Sequence, residues 1–127
     1  NVLLNTAQQT REFVDLVDHP SVGIHLDAFH MSIEETDPAG AVRIAGDRLF
    51  HFHGSDSHRG TPGDGIFPWP EVAAAMKEIG YQGYVVIEAF NPEGGMAPLV
   101  KLWRPLAESP DALARNGIAF LKSVLDS

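Results

Sequence analysis

Cysteine is absent from this 127-residue chain, which excludes disulfide bonds and thiolate metal sites. Basic side chains are scarce: 9 Lys and Arg stand against 17 Asp and Glu, giving a net charge of −8. Because nucleic acids bind to basic faces, we expect no nucleic-acid partner. No apolar run reaches the ~18–20 residues that cross a bilayer, and no basic-then-apolar pattern of a signal peptide occurs. We therefore expect no membrane partner and a cytoplasmic location.

Hydrophobic periodicity switches between helical and strand spacing along the chain. Helices are predicted over residues 5–18, 37–46, 70–79 and 109–125, and strands over 21–27, 48–53 and 83–88. Helix starts are predicted at Thr6, Asp37 and Ser109. The first helix has an apolar stripe of Phe13, Leu16 and Val17, and the apolar run Val85–Ile87 predicts that the last strand is the most buried. A glycine-rich loop is predicted over 54–68, and irregular structure over 91–108. Strict alternation of helix and strand favours parallel strands joined by helical crossovers. We therefore expect an α/β fold in a single domain that includes residues 1–127.

Each predicted strand ends in a side chain that binds divalent metals. The segments are Val22–Asp27, Leu49–His53 and Tyr84–Glu88. In a (β/α) barrel, catalytic groups come from the C-terminal ends of several parallel strands. Asp27, His53 and Glu88 are therefore predicted to meet at one end of the sheet, within reach of a single ion.

Each of these candidates also has an ordinary structural interpretation. Asp27 can cap a following helix instead of binding an ion. Glu88 can pair with Arg59 across the rim of the sheet. His51 and His53 share a strand face, but a hydrogen-bonded core histidine is at least as common as a ligand pair. His53 is nearer the strand end, so we expect His51 to lie below the metal as a non-ligand.

The glycine-rich loop contains several polar side chains. Arg59 stands there beside Asp56, Ser57 and His58, a cluster suited to a sugar or a carboxylate. A lone arginine in a loop is usually exposed to solvent. The Gly-x-Gly at residues 63–65 lacks the lysine and the strand-to-helix context of a phosphate-binding loop.

Several motifs of the chain carry a family resemblance. They are Leu26-Asp-Ala-Phe-His-Met-Ser-Ile-Glu-Glu35, the segment His51–Gly65, Pro68-Trp69, Gly80-Tyr81-x-Gly83 and Val86-Ile-Glu88. They resemble the ketose 3-epimerases of the D-tagatose/D-psicose 3-epimerase type, which are xylose-isomerase-like (β/α)8 TIM barrels. The first motif resembles a signature of that family, the second resembles its metal-histidine loop, and the shorter motifs continue the match. The resemblance covers nearly the whole chain.

The resemblance implies roles for individual residues. Asp27, His53 and Glu88 would hold a divalent metal, usually Mn²⁺ in this family, with Mg²⁺, Co²⁺ or Zn²⁺ as alternatives. Glu88 would also be a catalytic residue that exchanges the carbon-3 proton of a free ketose through a cis-enediolate. His30 and Arg59 would contact the sugar substrate.

The resemblance also implies that part of the barrel precedes Asn1. The family's second catalytic glutamate, also its fourth metal ligand, would fall before that residue. We therefore expect the C-terminal part of a barrel, with about three strand–helix units, that either forms a homo-oligomer or belongs to a longer chain. The chain alone is expected to be inactive, because inversion needs bases on both faces of the substrate.

Other functions remain as alternatives. Hydroxypyruvate isomerase and inosose dehydratase share this barrel, and a non-catalytic metal-binding fragment is a further reading. Abasic-site endonucleases share the fold too, but they need more ligands and a basic face. The segment from Phe29 to Glu35 favours the ketose epimerases over the other isomerases.

Overall fold

The computed structural model describes residues 3–90, 96 and 99–127. Within these ranges the elements alternate as a barrel requires. They are α1 (Ala7–Val17), β1 (Ile24–Asp27), α2 (Ala28–Glu34), α3 (Pro38–Ala45), a 3₁₀ turn (Gly46–Arg48), β2 (Leu49–Gly54), α4 (Trp69–Glu78), β3 (Val85–Ile87) and α5 (Pro110–Leu125). Much of the predicted irregular segment 91–108 lies outside the described residues. Among those described, no helix is long and apolar enough to cross a bilayer.

The three strands form one parallel sheet in the order β1-β2-β3. Asp27 pairs in register with His53, and His53 with Val86. The ladder continues one residue beyond β3, since the Glu88 N–H donates to the Gly54 carbonyl at 3.1 Å. Parallel pairing thus brings the C-terminal ends of all three strands to the same edge.

The helices begin where the sequence predicts. Thr6, Asp37 and Ser109 are N-caps, and each side chain accepts a hydrogen bond from the backbone N–H three residues further on. These bonds satisfy donors that a helix start leaves without a partner. The predicted starts of α1, α3 and α5 are therefore confirmed.

Helix α2 was not predicted from the sequence. It begins directly after β1, because the Asp27 carboxylate accepts hydrogen bonds from the N–H groups of Phe29 and His30. From the sequence, the helix after β1 was predicted to begin only at Asp37. The seven residues of α2 are too few for apolar periodicity to reveal them.

The core lies between one face of the sheet and the helices. Phe52 is fully buried, and Trp69 and Val72 pack beside it. The buried face of α1 differs from the predicted stripe, because Ala7 and Val14 are buried while Leu16 is 84% exposed. Phe13 and Val17 of the same stripe are also exposed. The contribution of α1 to the core of the described chain therefore comes from Ala7 and Val14.

Strand β2 departs from strict alternation near its start. A register shift lies between Ile24 and His25, where β1 pairs first with Leu49 and then with His51. Phe50, which alternation predicts on the same face as Phe52, is 46% exposed instead. A bulge of this kind inserts an extra residue into one strand. It lets Leu49 point into the core while the two histidines of β2 keep the opposite face.

Strand β3 was predicted to be the most buried strand, and this is wrong. Its residues are half-buried or exposed, and Val86 is 42% exposed. β1 and β3 are both edge strands, but β1 packs against α1 and α2, whereas the helix that packs against β3 is α5, so less of β3 is covered.

Candidate metal centre

Asp27, His53 and Glu88 converge at the C-terminal edge of the sheet. Each offers one ligand atom, and these atoms all lie within 4.8 Å of one another. His53 Nδ1 is 3.3 Å from Asp27 Oδ2 and 3.6 Å from Glu88 Oε1. The register of β1 with β2 places Asp27 beside His53, and Glu88 lies two residues beyond Val86, the residue of β3 that pairs with His53. Their role as metal ligands stays a prediction.

The two oxygens of Asp27 have separate partners. Oδ1 accepts the N–H groups of Phe29 and His30 at 2.9 and 3.1 Å and caps α2. Oδ2 faces the His53 ring. The sequence left open whether Asp27 caps a helix or binds a metal. Because its two oxygens have different partners, one carboxylate can have both roles. The cap fixes the side chain and leaves Oδ2 free to bind an ion.

Glu88 occupies an environment that favours its protonated form. Burial raises the pKa of Glu88, and the nearby negative charge of Asp27 raises it further. His53 and Arg59 oppose this shift in the pKa only in part. Glu88 and Arg59 are both described, and they form no ion pair, so the predicted alternative of a rim salt bridge is wrong. A carboxyl group with a raised pKa is suited to accepting and releasing a proton.

A cavity of about 350 Å³ opens above the three side chains. Its size falls within the range of small-molecule sites. His30, on the first turn of α2, lines this cavity together with Glu34. His30 is exposed, so its ring is accessible to a ligand. The predicted substrate contact of His30 is therefore sterically open, although it stays a prediction.

Arg59 lies on aromatic rings and is half-buried, not exposed as is usual for a loop arginine. Its guanidinium carbon is 4.0 Å from the centre of the Phe29 ring and 5.2 Å from that of Phe90. Among the described residues, its buried Nε has no hydrogen-bond partner. Arg59 adopts a left-handed backbone (φ 65°), which costs energy for a residue with a side chain. It lies outside the described lining of the cavity.

Asp56 does not form the exposed polar cluster that the sequence suggested. It is fully buried and accepts hydrogen bonds from the N–H groups of Ser57, Gly63 and Phe67 and from the Trp69 indole, at 2.7 to 3.2 Å. Its oxygens are therefore directed into the loop and not toward a ligand. Burial raises the pKa of Asp56, but these four bonds outweigh burial, and the pKa lies below its ordinary value.

A group of three histidines lies on the same face of the sheet. The ring centres of His25 and His53 are 4.1 Å apart, and that of His51 is 5.1 and 5.2 Å from those two. Burial and the neighbouring imidazoles of His53 and His51 lower the pKa of His25. His25 was not among the site residues predicted from the sequence. Its place two residues before Asp27 on the same strand face was the available signal.

Comparison with known proteins places this site in a family. The profile of the xylose isomerase-like TIM barrel matches residues 1–124. The chain belongs to that barrel family. The fold class and the resemblance predicted from the motifs are thereby confirmed, and the three-stranded sheet is a segment of the family's closed barrel.

Similar barrels include named ketose epimerases. The chain is 45% identical over 112 residues to D-psicose 3-epimerase of Ruminiclostridium cellulolyticum, covering 87% of this chain and 38% of the relative. It is 44% identical over 120 residues to a probable ketose 3-epimerase of Synechocystis, covering 94% and 42%. The chain therefore spans less than half the length of these curated relatives.

Solved structures agree with these relatives. A crystal structure of D-psicose 3-epimerase in the presence of D-fructose matches with a TM-score of 0.91 at 40% identity, covering 100% of this chain and 46% of the other. A structure of L-ribulose 3-epimerase matches with a TM-score of 0.91 at 33% identity, covering 99% and 43%. Barrel members that are named for carbon-3 epimerisation thus share the backbone of the candidate metal centre.

Proposed function

We propose that residues 1–127 form the C-terminal part of a single barrel domain in a ketose 3-epimerase, which inverts carbon-3 of a free sugar. The observation that supports this most is the convergence of Asp27, His53 and Glu88 beneath a cavity of about 350 Å³. The named activities of the similar barrels point to the same reaction class. The alternative hypotheses of a hydroxypyruvate isomerase or an inosose dehydratase have no comparable support.

The donor set fits a divalent ion. Asp27 Oδ2, His53 Nδ1 and one Glu88 oxygen would hold it, and two carboxylates with one imidazole suit Mn²⁺, with Mg²⁺, Co²⁺ or Zn²⁺ as alternatives. The cap on Asp27 supports this fit. Because Oδ1 accepts the capping hydrogen bonds, the side chain is held with Oδ2 toward the His53 ring. When bound, the ion would supply Lewis-acid stabilisation of negative charge on the substrate oxygens.

Glu88 is the proposed base among the described residues. Its carboxylate would remove the carbon-3 proton, and the electron pair of that C–H bond would move to form the cis-enediolate of the ketose. When no ion is bound, burial and the charge of Asp27 raise the pKa of Glu88. Return of a proton to the opposite face requires a second acid, which we assign to a part of the barrel other than the described residues.

His30 and Arg59 are the proposed substrate contacts. The exposed ring of His30 lines the cavity and can hydrogen-bond a hydroxyl group. Arg59 stacks on Phe29, the neighbour of His30, and its buried Nε has no hydrogen-bond partner among the described residues. A guanidinium that is already desolvated and held on a ring loses little entropy when it binds an oxygen.

A chimera tests this proposal. The N-terminal part of the Ruminiclostridium D-psicose 3-epimerase would be joined ahead of residue 1, and carbon-3 proton exchange would be measured in deuterium oxide with Mn²⁺ and a panel of free ketoses. We expect exchange and epimerisation by the chimera and none by the 127-residue chain alone. Orienting two catalytic groups contributes many orders of magnitude in rate.

Paired variants show whether the activity arises from this site. Glu88→Gln in the chimera should lower exchange at least a thousandfold, whereas Asp64→Asn, an exposed carboxylate away from the cavity, should leave it unchanged. A chimera that is folded by circular dichroism and binds Mn²⁺, yet exchanges no ketose proton, would show the proposed function to be wrong.

A further inference from the structure

The three-histidine group formed by His25, His51 and His53 has the composition of a metal site of its own. One ring nitrogen from each lies within 4.8 Å of the other two. In a tetrahedral zinc site with three imidazoles, metal–nitrogen bonds of 2.0–2.1 Å place the nitrogens roughly 3.4 Å apart.

Two of the three rings have nitrogens without a competing hydrogen bond among the described residues. Among the residues that the structure describes, no hydrogen bond involves the rings of His25 or His51. His25 is exposed and the other two rings are half-buried, because the three strands leave the inner face of the barrel uncovered, so an ion reaches the rings in the 127-residue chain. The parallel register holds His25 opposite His51, which fixes two of the three ligands on rigid strands.

We propose that His25, His51 and His53 form a second, all-nitrogen metal site that selects Zn²⁺ over Mn²⁺. Imidazole nitrogen suits Zn²⁺, and the affinity of nitrogen sites rises from Mn²⁺ toward Zn²⁺ and Cu²⁺. The carboxylate centre offers two oxygens and one nitrogen and suits harder ions. This assignment departs from the sequence-based expectation that His51 ligates no metal.

The two sites share His53, and this makes them exclusive. A Zn²⁺ ion held by the three rings withdraws His53 from Asp27 and Glu88, so the carboxylate centre keeps two of its three described ligands. Zinc at the nitrogen site therefore weakens Mn²⁺ binding at the other site. The inference concerns metal binding alone and holds whether or not the barrel is an epimerase.

X-ray absorption at the zinc edge tests the assignment on the full 127-residue chain with one equivalent of Zn²⁺. We expect a shell with three imidazoles. A single imidazole would place zinc at the carboxylate centre and would overturn the proposal. This count needs no variant, so it remains decisive if a substitution disturbs folding.

Affinity measurements on variants separate the two sites. His25→Gln and His51→Gln should each weaken Zn²⁺ binding at least tenfold by competition with a chromophoric chelator, while Mn²⁺ affinity, measured by electron paramagnetic resonance, stays unchanged. Glu88→Gln should weaken Mn²⁺ binding and leave Zn²⁺ affinity unchanged. His19→Gln, which changes an exposed histidine between α1 and β1, should affect neither metal. Unchanged Zn²⁺ affinity in both of the first two variants would contradict the second site.

Discussion

Asp27 and Asp56 show how two buried aspartates acquire different tasks. Asp27 uses one oxygen to cap α2 and keeps the other toward His53. Asp56 has both oxygens bound to donors of its own loop and to the Trp69 indole. Asp56 is therefore a structural residue, whose hydrogen bonds hold the loop between β2 and α4.

Replacing Asp56 tests that structural role. Asp56→Asn turns one acceptor oxygen into a donor that faces other buried donors, so we expect a loss of about 2–4 kcal/mol in the free energy of unfolding. Chemical denaturation measures this loss. Asp64→Asn, at an exposed position of the same loop, should change stability by less than about 0.5 kcal/mol. Equal effects of the two changes would contradict the role of Asp56.

The charge of Asp56 also predicts a pH dependence. Its pKa in the folded chain is lowered, since four hydrogen bonds outweigh the effect of burial. A carboxyl with a lowered folded pKa stabilises the fold above its unfolded pKa of about 3.9, and this contribution is lost as the pH falls through the folded pKa. The stability difference between wild type and Asp56→Asn should therefore be constant from pH 5 to 7 and shrink below about pH 3.9. A difference that grows on acidification would refute the lowered pKa.

At the scale of elements, the loop after β2 is packed against the last helix. Gly63 has a φ of 93°, and a Cβ there would lie 2.6 Å from the Phe120 ring of α5. The loop is therefore compact although its sequence is rich in glycine. Its closeness to α5 explains how Asp56, Thr61 and Pro62 become buried.

A pair of glycine variants measures this contact. Gly63→Ala should lower the free energy of unfolding by roughly 3 kcal/mol, the sum of left-handed backbone strain and a clash with Phe120. Gly80→Ala has a similar φ of 67° but no atom within 4 Å of the new Cβ, so its cost should be only about 1–2 kcal/mol. Thermal unfolding of both proteins compares them. A smaller loss for Gly63 than for Gly80 would disprove the close packing.

At the scale of the whole molecule, three strands cannot close a barrel of eight. Large apolar side chains are consequently exposed along the sheet and on α1. They include Phe13, Leu16, Tyr84 and Val86. Exposed apolar patches and unpaired strand edges of this kind favour association with further chain.

We predict that the 127-residue chain self-associates in solution. Covering the apolar positions removes their surface from water, which favours dimers or larger species. Sedimentation velocity measures the mass. Val86→Lys on β3 should weaken association at least tenfold, whereas Ile66→Lys, an equally charged change in the exposed loop, should not. A monodisperse monomer of the unchanged chain would contradict the prediction.

The predictable part of the fold rests on local signals. Caps at Thr6, Asp37 and Ser109 and the alternating strands were readable because each depends on a few neighbouring residues. The short helix α2 and the bulge near Phe50 were missed. Both depend on contacts that override the local period, and a seven-residue helix is too short to show one.

The candidate metal centre was likewise predictable only in part. The sequence by itself determined which residues end the strands, and alternation of helices with strands predicted parallel strands whose C-terminal ends lie at one edge, where Asp27, His53 and Glu88 meet. Only the tertiary structure decided which oxygen of Asp27 remains free, that Asp56 is buried, that Arg59 lies on Phe29 and that His25 joins the other two rings. Those outcomes depend on what packs against each side chain, and packing partners come from elements distant in sequence.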